Sequence, residues 1–221
     1  MENIFAVNKP IGMTSHDVVA LVRRATGIKR VGHGGTLDPQ ATGVLVIAVG
    51  RENTKLLESY VKGEKEYVAT VFLGVNSTTY DEEGEKQNVI VNNIPQLSKI
   101  EETIKLFVGN IDQIPPIYSS VKIHGKPAHR RVRSGEQITL NSRAVIIHSI
   151  IIDHYSYPIL KLKVATGPGV YIRSLAYDIG KELGTGGYLK ELIRTRVNNF
   201  TLENAKDIND FRERNKEAGK I

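Results

Sequence analysis

The sequence predicts an α+β domain in which helices are interspersed between the short strands of a mixed sheet. Short apolar stretches rich in Val and Ile recur along the chain, and segments with helical spacing separate them. Of the 221 residues, 40% are hydrophobic and 24% are charged. These fractions are typical of a globular protein and exclude a disordered chain, so we expect one compact domain.

The first part of the chain predicts two strands that alternate with two helices. Thr14 and Asp17 have the spacing of a capping box, which begins a helix, and Gly27 ends it. An apolar run between two glycines favours a strand that is buried on both faces. The predicted strands are residues 4–7 and 44–49, and the second helix covers about residues 53–61.

The next segment predicts one strand and one helix. Residues 66–73 alternate between two faces, one of which carries Tyr67, and this pattern favours a strand. Ser98 and Glu101 have the spacing of a second capping box. An apolar stripe with helical spacing follows them and stops at Gly109, so we expect a helix between these points.

The second half predicts strands followed by a helical pair. The expected strands are residues 144–152, 159–166 and 170–173, and the expected helices are about residues 175–183 and 188–194. A glycine-rich turn at residues 184–187 separates the two helices. From Glu203 onward we expect weak structure or a surface helix packed on the domain. The sequence contains no internal repeat.

Composition restricts the classes of function. The absence of cysteine excludes a disulfide, a thiol nucleophile and a thiolate zinc site. The six histidines lack the His-Glu-x-x-His spacing, so no metal is expected. No secretory leader or membrane-length apolar run is visible, and we therefore expect a cytoplasmic protein. The net charge of +6 favours a polyanionic partner.

Basic residues cluster between Asp112 and Glu136, a stretch without any acidic residue. Such a cluster either contacts the backbone of a nucleic acid or forms a solvated surface, and charge alone does not separate the two. The basic residues of this stretch are Lys122, Lys126, Arg130, Arg131 and Arg133.

The glycine-rich segment 31–43 presents a carboxylate, Asp38, directly before the predicted buried strand. Its glycines allow positive φ and the close approach of a ligand. The segment lacks both the Gly-Lys-Ser/Thr ending of a phosphate-binding loop and the Gly-x-Gly-x-x-Gly of a dinucleotide loop. From residue types alone, this Asp-Pro is either a plain turn or a presented catalytic carboxylate.

This segment resembles the signature of the TruB-type tRNA pseudouridine-55 synthases, through Gly35-Thr36-Leu37-Asp38-Pro39-x-Ala41-Thr42-Gly43. Other blocks resemble further motifs of that family, in the family's order and over about residues 5–200. These blocks are Lys9-Pro10-x-Gly12-x-Thr14-Ser15, Lys65-x-Tyr67, Pro115-Pro116-x-Tyr118-Ser119-x-x-Lys122, Gly169-x-Tyr171-Ile172-Arg173-Ser174-Leu175 and Leu192-x-Arg194. Ordered blocks carry more weight than one short motif.

The resemblance implies the pseudouridine synthase catalytic fold, a mixed and mainly antiparallel sheet flanked by helices. It places the catalytic domain at residues 1–202, with an RNA-binding insertion at about residues 112–140. Residues 203–221 would form a short tail in place of the C-terminal PUA domain that many bacterial members carry. His129 departs from the tyrosine usual in the family.

The resemblance also implies the activity, the isomerisation of uridine to pseudouridine in the T loop of tRNA. The enzyme would be a monomer that flips the target base and needs no cofactor, metal or guide RNA. Asp38 would be the catalytic carboxylate, and Arg173 would form an ion pair with it. Residue types do not choose between nucleophilic attack at ribose C1′ and a glycal route.

The resemblance assigns two further groups of residues. The expected substrate-binding residues are Tyr67, Tyr171, Arg173, Leu192 and His33, and the expected RNA-backbone residues are Lys9, Lys55, Lys122, Lys126, Arg130 and Arg131. Tyr67 would stack on the uracil and His33 would enter the RNA loop. On residue pattern alone, the tyrosines and Leu192 are equally typical of core positions, and His33 of a neutral loop histidine.

Three rival functions stay open. A tRNA-folding chaperone would keep the basic surface, His33 and Tyr67, but would not need Asp38 paired with Arg173. A guide-dependent subunit similar to dyskerin would require guide RNA. A hydrolytic uracil glycosylase would release free uracil.

Overall fold

The structure is a computed structural model that describes residues 3–119, 121–123, 126–127, 131, 136, 138–217 and 219. The strands are β1 (Ile4–Lys9), β2 (Val31–Gly34), β3 (Thr42–Val49), β4 (Lys65–Leu73), β5 (Val75–Ser77), β6 (Lys86–Asn88), β7 (Gly109–Gln113), β8 (Lys122–Ile123), β9 (Lys126–Pro127), β10 (Arg143–Ser156), β11 (Ile159–Thr166), β12 (Gly187–Val197), β13 (Phe200–Thr201) and β14 (Lys206–Asp207). The helices are α1 (Ser15–Thr26), α2 (Arg51–Val61), α3 (Leu97–Lys105), α4 (Ile172–Glu182) and α5 (Ile208–Glu217).

The chain divides into two compact units. Unit 1 consists of Met1–Val68 and Leu192–Ile221, and unit 2 consists of Ala69–Glu191. The division falls within β4 and within β12, so each of these strands has residues in both units. Because the boundary interrupts two strands, no linker marks it in the sequence.

Unit 1 contains a sheet with β3 at its centre. β1 lies antiparallel to β3, with Val7 opposite Leu45, and β2 lies antiparallel to the last residues of β3. The end of β12 pairs in parallel with the start of β3 through Ile193 and Arg194. β14 pairs in parallel with β1.

The core of unit 1 lies on both faces of β3, because the strand's side chains alternate between the faces. Leu45, Ile47 and Val49 pack with residues of α1 and α5. Val44, Val46 and Ala48 pack on the opposite side with Leu57 of α2 and with Val197. The prediction of a strand buried on both faces is therefore confirmed.

Unit 2 contains an antiparallel hairpin of β10 and β11, in which Ile150 lies opposite Val164. β7 pairs antiparallel with β10, with Val145 opposite Ile111, and β4 lies on the other side of β11. β5 and β6 form a separate hairpin, as do β8 and β9. Strands and helices alternate irregularly in both units, which confirms the predicted α+β class.

The predicted first helix is confirmed at both ends. Thr14 and Asp17 form the capping box, in which the Asp17 N–H donates to the Thr14 hydroxyl oxygen at 3.1 Å and the Thr14 N–H donates to the Asp17 carboxylate at 2.8 Å. Gly27 ends the helix with φ 71°, a left-handed conformation that favours glycine.

Two element predictions and one predicted helix cap are wrong. The helix near residue 98 begins at Leu97 after Gln96, so Ser98 lies inside it and forms no capping box. Residues 170–173 are not a strand, because α4 begins at Ile172. Residues 188–194 are not a helix but part of β12, whose Ile193 and Arg194 pair with β3. For residues 188–194, a pairing distant in sequence decides a pattern that is locally ambiguous.

Candidate functional site

Asp38 lies in unit 1, in the loop that joins β2 to β3. Leu37, the residue before it, is buried and bonds with both backbone groups to Ser15: the Leu37 N–H donates to Oγ at 2.9 Å, and the Ser15 hydroxyl donates to the Leu37 carbonyl at 3.0 Å. The Ala41 N–H donates to the Asp38 carbonyl at 3.0 Å. The backbone is thus fixed on both sides of Asp38, and Asp38 itself remains partly exposed.

Lys9 is fully buried, with 0% of its surface exposed, and its ammonium supports the same loop. Nζ donates to the carbonyls of Met13 at 2.7 Å, Pro10 at 2.9 Å and Pro39 at 3.3 Å. Burial lowers the pKa of Lys9 from 10.5 to about 8, and the Asp38 carboxylate opposes that shift. In this structure its donors are occupied by carbonyls, and its contact with RNA phosphates stays a prediction.

Arg194 of β12 is a second buried cation in unit 1, with 2% exposure. Its Nε donates to the Val44 carbonyl at 2.8 Å and its Nη2 to the Gly35 carbonyl at 3.0 Å. Burial lowers the pKa of Arg194, whereas Tyr67 and the Asp38 carboxylate raise it. Arg194 therefore brings a positive charge to the electrostatic environment of Asp38.

Gly43 permits this arrangement, because β3 and β12 approach closely there. Its φ is 102°, and a Cβ on Gly43 would overlap the backbone of Arg194. Only glycine adopts this φ readily and also lacks the Cβ that would overlap Arg194.

Tyr67 is buried on the inner face of β4, and Arg194 contributes to the electrostatic environment of its hydroxyl. Burial raises the pKa of the phenol, and Arg194 opposes the rise. Its stacking on a uracil stays a prediction. The packing that the sequence pattern suggested for Tyr67 is present, as the strand alternation requires.

His33 lies on β2, opposite Ile47. Its ring meets that of His16 edge to face, with 5.2 Å between the ring centroids. Nδ1 is buried and has no hydrogen-bond partner among the described residues. Burial, and then the positive charges of His16 and Arg194, lower the pKa of His33 to about 4. The imidazole is therefore neutral at pH 7.

Arg173 lies in unit 2, near the N-terminus of α4, and is 7% exposed. Within this unit its guanidinium donates to Asp81 Oδ2 at 3.1 Å, to the Tyr118 carbonyl at 2.8 Å and to the Thr79 carbonyl at 3.5 Å. The sequence interpretation did not single out Asp81. The expected ion pair between Arg173 and Asp38 joins residues of different units and stays a prediction.

The other two expected pocket residues have structural partners. In unit 2, Gln113 bonds to both backbone groups of Tyr171: the Tyr171 N–H donates to Oε1 at 2.8 Å, and Nε2 donates to the Tyr171 carbonyl at 3.1 Å. In unit 1, Leu192 is partly buried against the core that contains Phe5 and Leu45. Their contact with substrate is a prediction.

The expected RNA-backbone residues differ in their surroundings. Lys55 is exposed and bonds to Glu52 at 3.1 Å. Arg131 forms an ion pair with Glu136 at 2.6 Å. The side chains of Lys122 and Lys126 lie outside the described part of the molecule, as do Arg130 and His129.

Lys55 also lines a cleft of about 320 Å³ in unit 1. The cleft lies between α1, α2 and the start of β2. Its basic residues are Arg23, Lys29, Arg30 and Lys55, and Val31, Gly32 and Thr54 complete the lining. Val31 and Gly32 belong to the strand that carries His33.

Sequence reasoning assigned no role to two charged residues, Arg194 of unit 1 and Asp81 of unit 2. Arg194 lies in the Leu192-x-Arg194 motif, but nothing in the sequence links it to Asp38 before β12 pairs with β3. Asp81 lies in an acidic stretch that looks like a solvated turn.

Among the described residues, no cluster of histidine and acidic side chains has the arrangement of a metal site. None of the described helices combines the length and apolar character that crossing a membrane requires.

Comparison with known proteins gives the family. Residues 23–172 match the model of the TruB family pseudouridylate synthase (N terminal domain), and residues 173–219 match the tRNA pseudouridylate synthase B C-terminal domain. The chain is 42% identical over 204 residues to tRNA pseudouridine synthase B of Protochlamydia amoebophila, covering 92% of this chain and 77% of the relative. It is 47% identical over 209 residues to that of Corynebacterium diphtheriae, covering 90% and 68%.

Solved structures give the same result for the fold. The chain resembles a chain of the Cbf5-Nop10-Gar1 complex with a TM-score of 0.74 and 30% identity, and the match covers 98% of this chain but 56% of the other. A chain of an H/ACA RNP bound to a substrate RNA containing 2'-deoxyuridine matches with a TM-score of 0.70 and 28% identity, covering 98% and 55%. This chain spans little more than half the length of those two. The protein belongs to the TruB family of pseudouridylate synthases.

Proposed function

We propose that this protein isomerises a uridine of tRNA to pseudouridine, with Asp38 as the catalytic carboxylate and the T-loop uridine as the target. The family and the names of its relatives support the reaction and the tRNA substrate. A cytoplasmic location, a monomeric enzyme and independence from guide RNA complete the proposal.

The observation that carries the proposal is how the Asp38 loop is held. Ser15, Lys9 and Arg194 bond to the backbone of three loop residues, and the last two bring buried positive charge to the carboxylate. A plain surface turn does not require two buried cations. Preorganised charge around one carboxylate is typical of a catalytic group.

The reaction suits these residue types. The bond from ribose C1′ to uracil N1 breaks, the uracil turns, C1′ joins C5, the hydrogen on C5 leaves as a proton, and N1 takes up a proton. A carboxylate beside C1′ either attacks that carbon or helps to remove the 2′ proton, and both routes stay open. We retain the ion pair of Arg173 with Asp38 as part of the proposal, because a guanidinium can bind both carboxylate oxygens.

The RNA must present the uridine outside its stack, which costs a few kcal/mol. A neutral His33 is suited to filling the gap by stacking, and Tyr67 to holding the flipped base. The basic cleft of Arg23, Lys29, Arg30 and Lys55 lies along the strand of His33 and suits backbone phosphates.

Product analysis of a T-arm stem-loop transcript tests the proposal. We expect pseudouridine at one loop position, with no change in RNA mass and no added guide RNA. A matched transcript with cytidine at that position should remain unmodified. Free uracil would indicate a glycosylase, activity only with guide RNA would indicate a guide-dependent subunit, and tight binding without any product would indicate a folding chaperone.

A further inference from the structure

The turn between β5 and β6, residues 78–85, holds the carboxylate that pairs with Arg173 in unit 2, and we name it the acidic turn. Its ends are closed by two bonds: the Thr78 N–H donates to the Glu85 carbonyl at 3.1 Å, and the Glu85 N–H donates to the Thr78 hydroxyl oxygen at 3.1 Å. Ser77 Oγ donates to the Asp81 carbonyl at 2.6 Å. The turn is thus ordered by its own bonds.

Lys86 adds a second constraint on the acidic turn. Its Nζ donates to the carbonyls of Glu82 at 2.6 Å, Gly84 at 3.0 Å and Asp81 at 3.2 Å, and it lies 4.5 Å from the centre of the Tyr188 ring. A Cβ on Gly84 would overlap Ser77 and Thr79. The two arms of the turn therefore pack too closely to accept any residue other than glycine at position 84.

The acidic turn also contains an unfavourable backbone conformation. Tyr80 has φ 63°, in the left-handed region that a bulky residue rarely adopts. Its ring stacks on Tyr177 of α4 with 4.2 Å between centroids, and its carbonyl accepts from the Leu189 N–H at 2.9 Å. These contacts hold Tyr80, the residue next to Asp81, in a backbone conformation that is unfavourable for an isolated tyrosine.

The two oxygens of Asp81 receive different donors. The Thr79 hydroxyl donates to Oδ1, which also accepts the Glu83 N–H at 3.1 Å. Arg173 Nη1 donates to Oδ2 at 3.1 Å. The carboxylate cannot rotate without losing bonds on both oxygens, so its plane is set before any ligand binds.

Thr79 contacts both members of the Asp81–Arg173 pair. Its hydroxyl holds the carboxylate, and its carbonyl lies 3.5 Å from the same guanidinium nitrogen. We propose that Thr79 is a positioning residue for the isomerisation, setting the orientation of Arg173 through Asp81. This inference rests on the proposed function, in which Arg173 acts at the reacting site.

Thr79→Val and Thr79→Ser separate positioning from packing. Valine keeps the shape of threonine and removes the hydroxyl, whereas serine keeps the hydroxyl. We expect Thr79→Val to lower kcat by about tenfold with KM and RNA affinity nearly unchanged, because a small misplacement of a catalytic group lowers turnover. Thr79→Ser should restore most of kcat.

Thr78→Val is the matched control. It makes the same chemical change one residue away and removes a bond that closes the turn, because the Thr78 hydroxyl accepts from the Glu85 N–H. We expect its kcat to lie near that of the wild type. The same thermal unfolding midpoint in the two valine variants would show that the fall in kcat is not a loss of fold.

The outcomes distinguish this inference from the proposed function. C5-hydrogen release by the wild type with equal kcat in Thr79→Val would overturn the positioning role alone. So would a fall in kcat that Thr79→Ser does not restore, or one that Thr78→Val shares. Absence of release by the wild type would instead overturn the proposed function.

Discussion

At the scale of single residues, two lysines perform the same task at two different loops. Each ammonium donates to three backbone carbonyls, of which at least one belongs to a loop that carries a candidate functional aspartate. Lys9 bonds to Pro10, Met13 and Pro39 beside Asp38, and Lys86 bonds to the residues Asp81, Glu82 and Gly84. Both lysines therefore act on the backbone of the protein, although their charge alone suggests RNA phosphates as partners.

His33 provides a prediction about RNA binding. We expect His33→Ala to weaken binding to the T-arm stem-loop by about 1–3 kcal/mol, because a stacking ring is lost, and His33→Phe to retain most of the affinity. The salt dependence should be the same for all three proteins, since His33 is neutral at pH 7. Equilibrium binding at several salt concentrations measures both quantities.

His33 also affects folding stability below neutral pH. Its folded-state pKa of about 4 lies below the ordinary 6.5. The unfolded chain therefore binds more protons between these values, and His33 lowers stability as pH falls through that window. The unfolding midpoint of His33→Phe should fall less than that of the wild type between pH 6.5 and 4. Parallel curves would contradict this assignment.

The site residues illustrate what residue types can and cannot predict. Asp38 is singled out by the resemblance of residues 35–43 to the family signature, because residue types alone also allow a plain turn there. The burial of Lys9 is not visible, because it depends on carbonyls that Pro10, Met13 and Pro39 present only after folding. The same holds for Arg194.

At the scale of elements, local signals predict those structures whose stabilising contacts are local. Helix α1 has both caps within its own sequence, and β3 has an apolar run that only a doubly buried strand explains. β12 lacks such a signal, because its charged and apolar residues do not follow a strict period of two, and its partners β3 and β4 lie far away in sequence. Helical spacing therefore fits part of the segment equally well.

Gly43 tests the close approach of β3 and β12. Gly43→Ala adds a Cβ that overlaps the Arg194 backbone, at φ 102°. Gly109 is the matched control, because its φ is 100° and no atom lies near a Cβ there. Both substitutions should cost about 1–3 kcal/mol of unfolding free energy from backbone strain, and Gly43→Ala about 1–3 kcal/mol more from overlap.

Denaturant unfolding measures the two costs, and turnover measures the consequence for the site. Arg194 contributes positive charge to the electrostatic environment of Asp38. Of the two substitutions, we therefore expect only Gly43→Ala to lower kcat as well. Equal destabilisation by the two substitutions would contradict the close approach.

At the scale of the whole molecule, the charge distribution favours RNA over a small substrate. The net charge is +6, and four basic residues surround one cleft of unit 1. Phosphate contacts of this kind supply affinity and salt dependence without reading sequence. Net charge predicts the polyanionic partner from sequence alone, but the cleft forms only when α1, α2 and β2 meet.

Lys55 and Lys99 form a matched pair for testing the cleft. Both side chains are 59% exposed, and both form an ion pair with a glutamate three residues away on a helix. Only Lys55 lines the cleft. We expect Lys55→Gln to weaken RNA binding and to reduce the slope of log affinity against log salt by about 1, and Lys99→Gln to change neither. Equal effects would exclude the cleft as a phosphate site.

Tritium release from a tRNA transcript labelled at uridine C5, compared between wild type and Asp38→Asn, tests the central claim most directly. Joining C5 to ribose must displace that hydrogen, and asparagine keeps the shape of the side chain while removing its charge. We expect release by the wild type, none above background by Asp38→Asn, and similar RNA binding by both. Substantial release by Asp38→Asn would contradict the assignment of Asp38 as the catalytic carboxylate.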